Sequence, residues 1–184
     1  MEEIEYRPIF RHFPIAFTES QSAWGDIGNI ILDIIKRFNI PQKKALEFGV
    51  EYGHSISCIS NYFIEVIGVD TFEGDIFSGI KENHFHKTKE NLKAWPNIKL
   101  IKSDFKDFIK TNNDFFDLIH IDIIHNFQET FDCGEWAINH SKIVIFHDTE
   151  SFTEVKKAVK QLSDKFNISF HNYPYSSGLG ILIP

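Results

Sequence analysis

"KALEFGVEYGHSISC", residues 44–58, is the stretch that decides the fold. A buried-strand run, Ala45–Phe48, carries an acid at Glu47, two glycines follow at Gly49 and Gly53, and His54–Phe63 continues with the composition of a helix. A strand running through a glycine turn into a helix opens a βα unit. On the amino-terminal side, Trp24, Ile27, Ile31, Ile34 and Phe38 recur at helical spacing and predict an amphipathic helix that ends at Asn39 and Pro41. On the carboxyl side the pattern repeats. "IEVIGVD" (64–70), "NIKLIKSD" (97–104), "FDLIHID" (116–122) and "KIVIFHD" (142–148) read as buried strands, with helical segments between them. Asn126 with Glu129, and Ser151 with Glu154, have the spacing of capping boxes. "ISFHNY" and "GLGILI" close the chain too near one another for a crossover helix, so they must run antiparallel.

Strands alternating with helices predict a Rossmann-like α/β fold, a mostly parallel sheet with helices on both faces and an antiparallel carboxy-terminal hairpin. With 184 residues and no linker or repeat, one domain spanning 1–184 is expected, its first forty residues an irregular and helical cap. The formal charge of −7 argues against a nucleic-acid backbone or an anionic membrane as partner. Cys58 and Cys133 lack metal-type spacing and fit free thiols in a reducing compartment. The acidic start "MEEIEYRPIF" shows no secretory pattern, and no run is long enough to span a bilayer, so a cytoplasmic protein is expected.

In open α/β sheets the ligand sits beyond the carboxyl ends of the strands. Acids stand near five such ends: Glu47, Asp70, Asp104, Asp122 and Asp148. Singly, each reads as a helix cap; together at one sheet edge they suggest a site. A dinucleotide would rest its pyrophosphate on a G-x-G-x-x-G turn. The loop Gly49-Val50-Glu51-Tyr52-Gly53 lacks the middle glycine and carries an acid that repels phosphate. S-adenosylmethionine has no phosphate and carries a sulfonium, an ammonium and a ribose diol, all suited to acids. Asp70 stands where a carboxylate can accept from ribose hydroxyls.

"LEFGVEYGHS", "VIGVDTFEGD", "FDLIHID..H", "IVIFHDT" and "SGLGIL" resemble, in order and spacing, the class I S-adenosylmethionine-dependent methyltransferases, and most of all the methyltransferase-24 group. The resemblance runs from about Lys43 to Pro184 and implies a seven-stranded sheet whose last strand is antiparallel. It implies that Glu47, Gly49 and Gly53 surround the methionine moiety, that Asp70 binds the ribose with Thr71 and Phe72 beside it, and that Asp104 and Phe105 form the adenine-binding step. Phe72 and Phe105 read equally well as core.

Asp122 and Asp148 end neighbouring strands, so their carboxylates are expected to converge, with His125 within reach and His147 beside Asp148. Carboxylates with water and substrate oxygens suit Mg2+ or another divalent cation. Metal-assigned residues are therefore Asp122, Asp148 and His147; Asp122 and His125 are assigned to catalysis, His125 as the base that takes a hydroxyl proton. The pattern resembles metal-dependent sugar O-methyltransferases, although His147-Asp148 replaces two acids and Ile123-Ile124 replaces a glycine-containing turn. His84 and His86 read as a solvated helix face, and "FTESQSAWGD" (17–26) as core packing or substrate cover. The function expected is O-methylation of a small hydroxylated metabolite or sugar, with a second subunit able to complete an open pocket. A catalytically silent donor-binding module is the alternative.

Overall fold

The computed structural model describes residues 2–20, 22–74, 79 and 82–184. The last residue of the "VIGVDTFEGD" motif, Asp75, and Gln21 of the amino-terminal cover lie outside the described residues. Eight strands form one sheet: β1 (Glu3–Glu5), β2 (Lys44–Phe48), β3 (Glu65–Asp70), β4 (Ile98–Lys102), β5 (Leu118–Ile121), β6 (Val144–His147), β7 (Phe170–Tyr173) and β8 (Leu179–Leu182). Their spatial order is β1-β7-β8-β6-β5-β2-β3-β4. Only β8 runs antiparallel, slotted between β6 and β7. The expected seven strands are β2 to β8. The eighth, β1, pairs in parallel with β7 through Glu3↔Phe170, and its three exposed residues carry no apolar run that could announce it.

The central strands are nearly continuous in apolar residues because helices cover both faces. Side chains alternate between two cores. Ala45, Val66, Leu118 and Ile145 face one core with α1 (Ile31–Arg37) and α2 (His54–Ser60). Leu46, Ile67, Ile119 and Val144 face the other, with α4 (Phe105–Thr111), α5 (Phe127–Asn139) and α6 (Thr153–Phe166). The remaining helix, α3 (Phe85–Asn91), follows β3. Both cysteines are free and buried in these cores. Among the described residues no helix is long and apolar enough to cross a membrane.

Two local expectations change. The helix expected from Trp24 splits into a 3-10 turn at Ile27–Asn29 and then α1, while Trp24 itself packs in the core. Asn126 does cap α5, its Oδ1 accepting from Glu129 N at 2.9 Å. Ser151 does not cap α6: that helix opens after Phe152 without a side-chain cap, and the Phe152 ring turns to the site described next.

Candidate active site

The carboxyl ends of β2 to β6 open onto one cleft of about 740 Å3, within the range of small-molecule sites. Gly49 makes that cleft possible. Its φ is +85°, and a Cβ there would sit 1.7 Å from the Asp122 carbonyl oxygen. Only glycine lets the loop after β2 cross so close above the end of β5. Gly53, at φ +93°, starts α2 against Leu92, where a Cβ would lie 2.9 Å from that side chain.

Asp70, the last residue of β3, faces the cleft and ties the loop down. Its Oδ2 accepts from Val50 N and Glu51 N, both at 2.8 Å, and its Oδ1 accepts from Phe72 N at 2.6 Å. A carboxylate oxygen has two lone pairs, so Oδ2 is filled and Oδ1 keeps one acceptor position. Thr71 also lines the cleft. Phe72 is fully buried against Phe85 and belongs to the core, at a φ of +55°. Asp104 caps α4 by accepting from Lys106 N at 2.7 Å, and with Phe105 it forms the far wall of the cleft. Phe105 also packs edge-on against Phe48.

Glu47 is placed differently from its expectation. It is in register with Gly68 and His120, two residues below Asp70 and Asp122, so it lies beneath the cleft in the α1/α2 core, where it is fully buried. Ser55 Oγ, from the first turn of α2, donates to it at 2.7 Å. His120 Nδ1, its cross-strand partner on β5, lies 3.2 Å away, close enough for a charge contact but poorly aligned for a hydrogen bond. Burial pushes the Glu47 carboxyl up, against the pull of His120 and Ser55. Glu47 therefore fastens strand to helix beneath the loop, and Gly53 likewise lies behind the cleft wall.

At the ends of β5 and β6, Asp122, His125 and Asp148 converge. Each offers one ligand atom, and these atoms lie within 4.8 Å of one another. His125 Nε2 is 2.7 Å from Asp148 Oδ2 and 3.6 Å from Asp122 Oδ1, and its ring stacks flat on Phe152 at 4.0 Å. Asp148 sits at φ +65°, a left-handed conformation that an aspartate tolerates at some cost. Burial works against a charged His125, but the hydrogen bonds and charges of the two aspartates outweigh it and push its pKa up to about 9. Burial would raise the Asp122 carboxyl; His147 and His125 together hold it well below the usual carboxylate range.

His147 does not join this cluster as a ligand. Its Nδ1 is 3.1 Å from Asp122 Oδ2, and its Nε2 faces the Ser176 carbonyl at 3.2 Å. Both nitrogens point at acceptors, which favours the imidazolium, and the charge of Asp122 raises its pKa despite burial. His147 thereby orients Asp122. Ser176 is held in turn by Asp26, which also takes Tyr173 and Arg11. That network closes the amino-terminal segment over the cleft, where Ser22 and Ala23 form part of the wall.

The profile of the methyltransferase-24 family, described as a methyltransferase domain, matches residues 46–149, more than half of the chain. The chain belongs to this family. Comparison with curated proteins gives no match in sequence. Among solved structures, the O-methyltransferase from Bacillus cereus in complex with SAH aligns with a TM-score of 0.66 at 13% identity, covering 90% of this chain and 83% of that one. The O-methyltransferase TomG from Streptomyces achromogenes, involved in tomaymycin synthesis and in complex with SAM, aligns at 0.65 and 10% identity, covering 90% and 91%. The O-methyltransferase NovP aligns at 0.67 and 17%, covering 85% and 77%. This methyltransferase thus has the class I O-methyltransferase fold.

Two features of the site lie outside the sequence reading. Phe152 was legible as an apolar helix residue, not as the platform under His125. His84, expected on a solvated face, is 4% exposed and lines the cleft, whereas His86 is exposed.

Proposed function

We propose that this methyltransferase transfers the methyl group of S-adenosylmethionine to a hydroxyl of a small polar metabolite or sugar, as a single domain, with a divalent cation at Asp122 and Asp148 and His125 beside it as the base. One observation carries the reading: the glycine loop that would surround the donor and the strand end that bears the carboxylate cluster touch each other, at Gly49 and Asp122. Methyl donor and acceptor oxygen must meet where those two parts meet.

The residues fit the donor. Glu51, Asp70 and Asp122 line the cleft, so a sulfonium and an ammonium meet opposite charge without any phosphate cradle. The spare acceptor of Asp70 Oδ1 suits one ribose hydroxyl, and Asp104 with Phe105 suits the adenine. They also fit a cation: the carboxylates of Asp122 and Asp148 leave positions for water and substrate oxygens. Such a cation, when bound, lowers the pKa of a coordinated hydroxyl. Asp122 and Asp148 hold position there. His125 takes the hydroxyl proton at Nε2 when it reaches the reaction neutral, and Phe152 keeps its ring in plane.

The test is methyl transfer from labelled S-adenosylmethionine to a panel of hydroxylated metabolites, after chelator treatment and then with added Mg2+. Activity that does not change when metal is removed takes the cation out of the mechanism. His125→Ala is expected to lower turnover about a hundredfold; full activity would take the base out. The pairing of His125 with Asp148 favours a second reading, a silent donor-binding module, because a protonated His125 accepts nothing. Tight donor binding with no transfer at any pH would support it.

A further inference from the structure

His84 lines the cleft and carries a buried ring nitrogen, Nε2, that has no hydrogen-bond partner among the described residues. The ring is well fixed. His84 N donates to the Phe72 carbonyl at 2.9 Å, the ring packs against Tyr52 at 5.0 Å, and it meets Phe72 edge-on at 5.7 Å. Its Nδ1 lies 3.3 Å from the Glu82 carbonyl. A carbonyl only accepts, so that contact places the proton on Nδ1 and leaves Nε2 an acceptor. An acceptor held in a buried wall without a donor is costly unless a ligand supplies one.

Phe72 ties this nitrogen to the ribose side of the cleft. Asp70 accepts from the Phe72 N–H, and the His84 backbone N–H donates to the Phe72 carbonyl, so the two residues bracket one residue, Phe72. Asp70 has one acceptor position left, because the loop amides and Phe72 use the other three. A ribose diol offers two donors. We propose that the donor's two ribose hydroxyls are divided between Asp70 Oδ1 and His84 Nε2, which makes His84 a specificity residue of the donor site. This rests on the S-adenosylmethionine reading above.

Calorimetric titration with S-adenosylhomocysteine and its 2′-deoxy and 3′-deoxy counterparts tests both statements separately. No binding of S-adenosylhomocysteine to the unaltered protein would overturn the donor reading itself. If it binds, His84→Phe is expected to weaken it about tenfold, and His84→Gln, which keeps an acceptor at a similar reach, to recover most of that loss. For one of the two deoxy ligands, His84→Phe should cost nothing further, because the bond is already missing. Equal affinity in His84→Phe, or losses that simply add for both deoxy ligands, would overturn the role of His84. If His84→Phe does not fold, His84→Leu and the deoxy ligands on the unaltered protein carry the same comparison, with each hydroxyl expected to matter about tenfold.

Discussion

The two halves of the cleft are built by different means. In one half, at the ends of β2, β3 and β4, the backbone does most of the shaping. Gly49 and Gly53 take conformations closed to other residues, and Asp70 spends three of its four acceptor positions on loop amides. In the other half, at the ends of β5 and β6, side chains hold one another: His147 on Asp122, His125 on Asp148, Phe152 under His125. The first half is shaped by backbone turns tied to one carboxylate. The second is a network of charges whose balance depends on protons and cations.

Three expected outcomes would break or sharpen that contrast. The largest effect belongs to Gly49→Ala, where the halves touch. A Cβ 1.7 Å from the Asp122 carbonyl must push loop and strand apart, with a loss of about 4 kcal/mol in denaturant unfolding and of donor binding as well. A stable, donor-binding variant would refute the close contact as the organising feature. Next is Glu47→Ala. Removing a fully buried carboxylate leaves Ser55 and His120 unanswered and opens a void, at about 3 kcal/mol. Donor affinity below the new melting temperature should hardly change. A loss of affinity larger than the loss of stability would put Glu47 back in contact with the donor.

The smallest effect is a pH slope. Folded His125 keeps its proton up to about 9, whereas unfolded histidine releases it near 6.5. The folded state therefore binds more protons across that window, and stability must fall as pH rises through it. The pairing contributes fully below about 6.5 and is lost above about 9. Asp122, held low, stays ionised throughout and adds no slope there. In chelator, the melting temperature should drop by a few degrees between those limits. His125→Gln should flatten part of the drop, with His147, also raised, supplying the remainder. An unchanged slope in that variant would mean that His125 is not paired.

Much of this was legible in the residues. The apolar runs of β2, β3, β5 and β6 announce themselves because both faces are covered, and a hairpin too short for a crossover fixes the direction of β8. The convergence of Asp122 and Asp148 follows from acids one residue beyond neighbouring parallel strands. Glu47 was misjudged in depth: in register with His120, it stands two residues below the level of Asp122, and the exact end of a strand is what a sequence marks least clearly. His84 was placed on a solvated helix face and is buried instead, after a left-handed turn at Phe72, a residue type that gives no sign of one. The failed cap at Ser151 and the strand at Glu3–Glu5 are likewise set by distant partners rather than by neighbours.

The pairing of β1 with β7 has a consequence for how the molecule comes into being. Glu3 waits for Phe170, so during synthesis almost the whole polypeptide must emerge before the first strand finds its place. By then the contiguous segment from Lys44 to Lys102 has everything it needs to form β2, β3 and β4. Long-range pairings of this kind are slow, and the wall that the amino-terminal segment contributes through Ser22 and Ala23 is tied to the same late docking. A nascent chain would thus hold the glycine loop and the Asp70 that ties it down well before it owns a complete cleft.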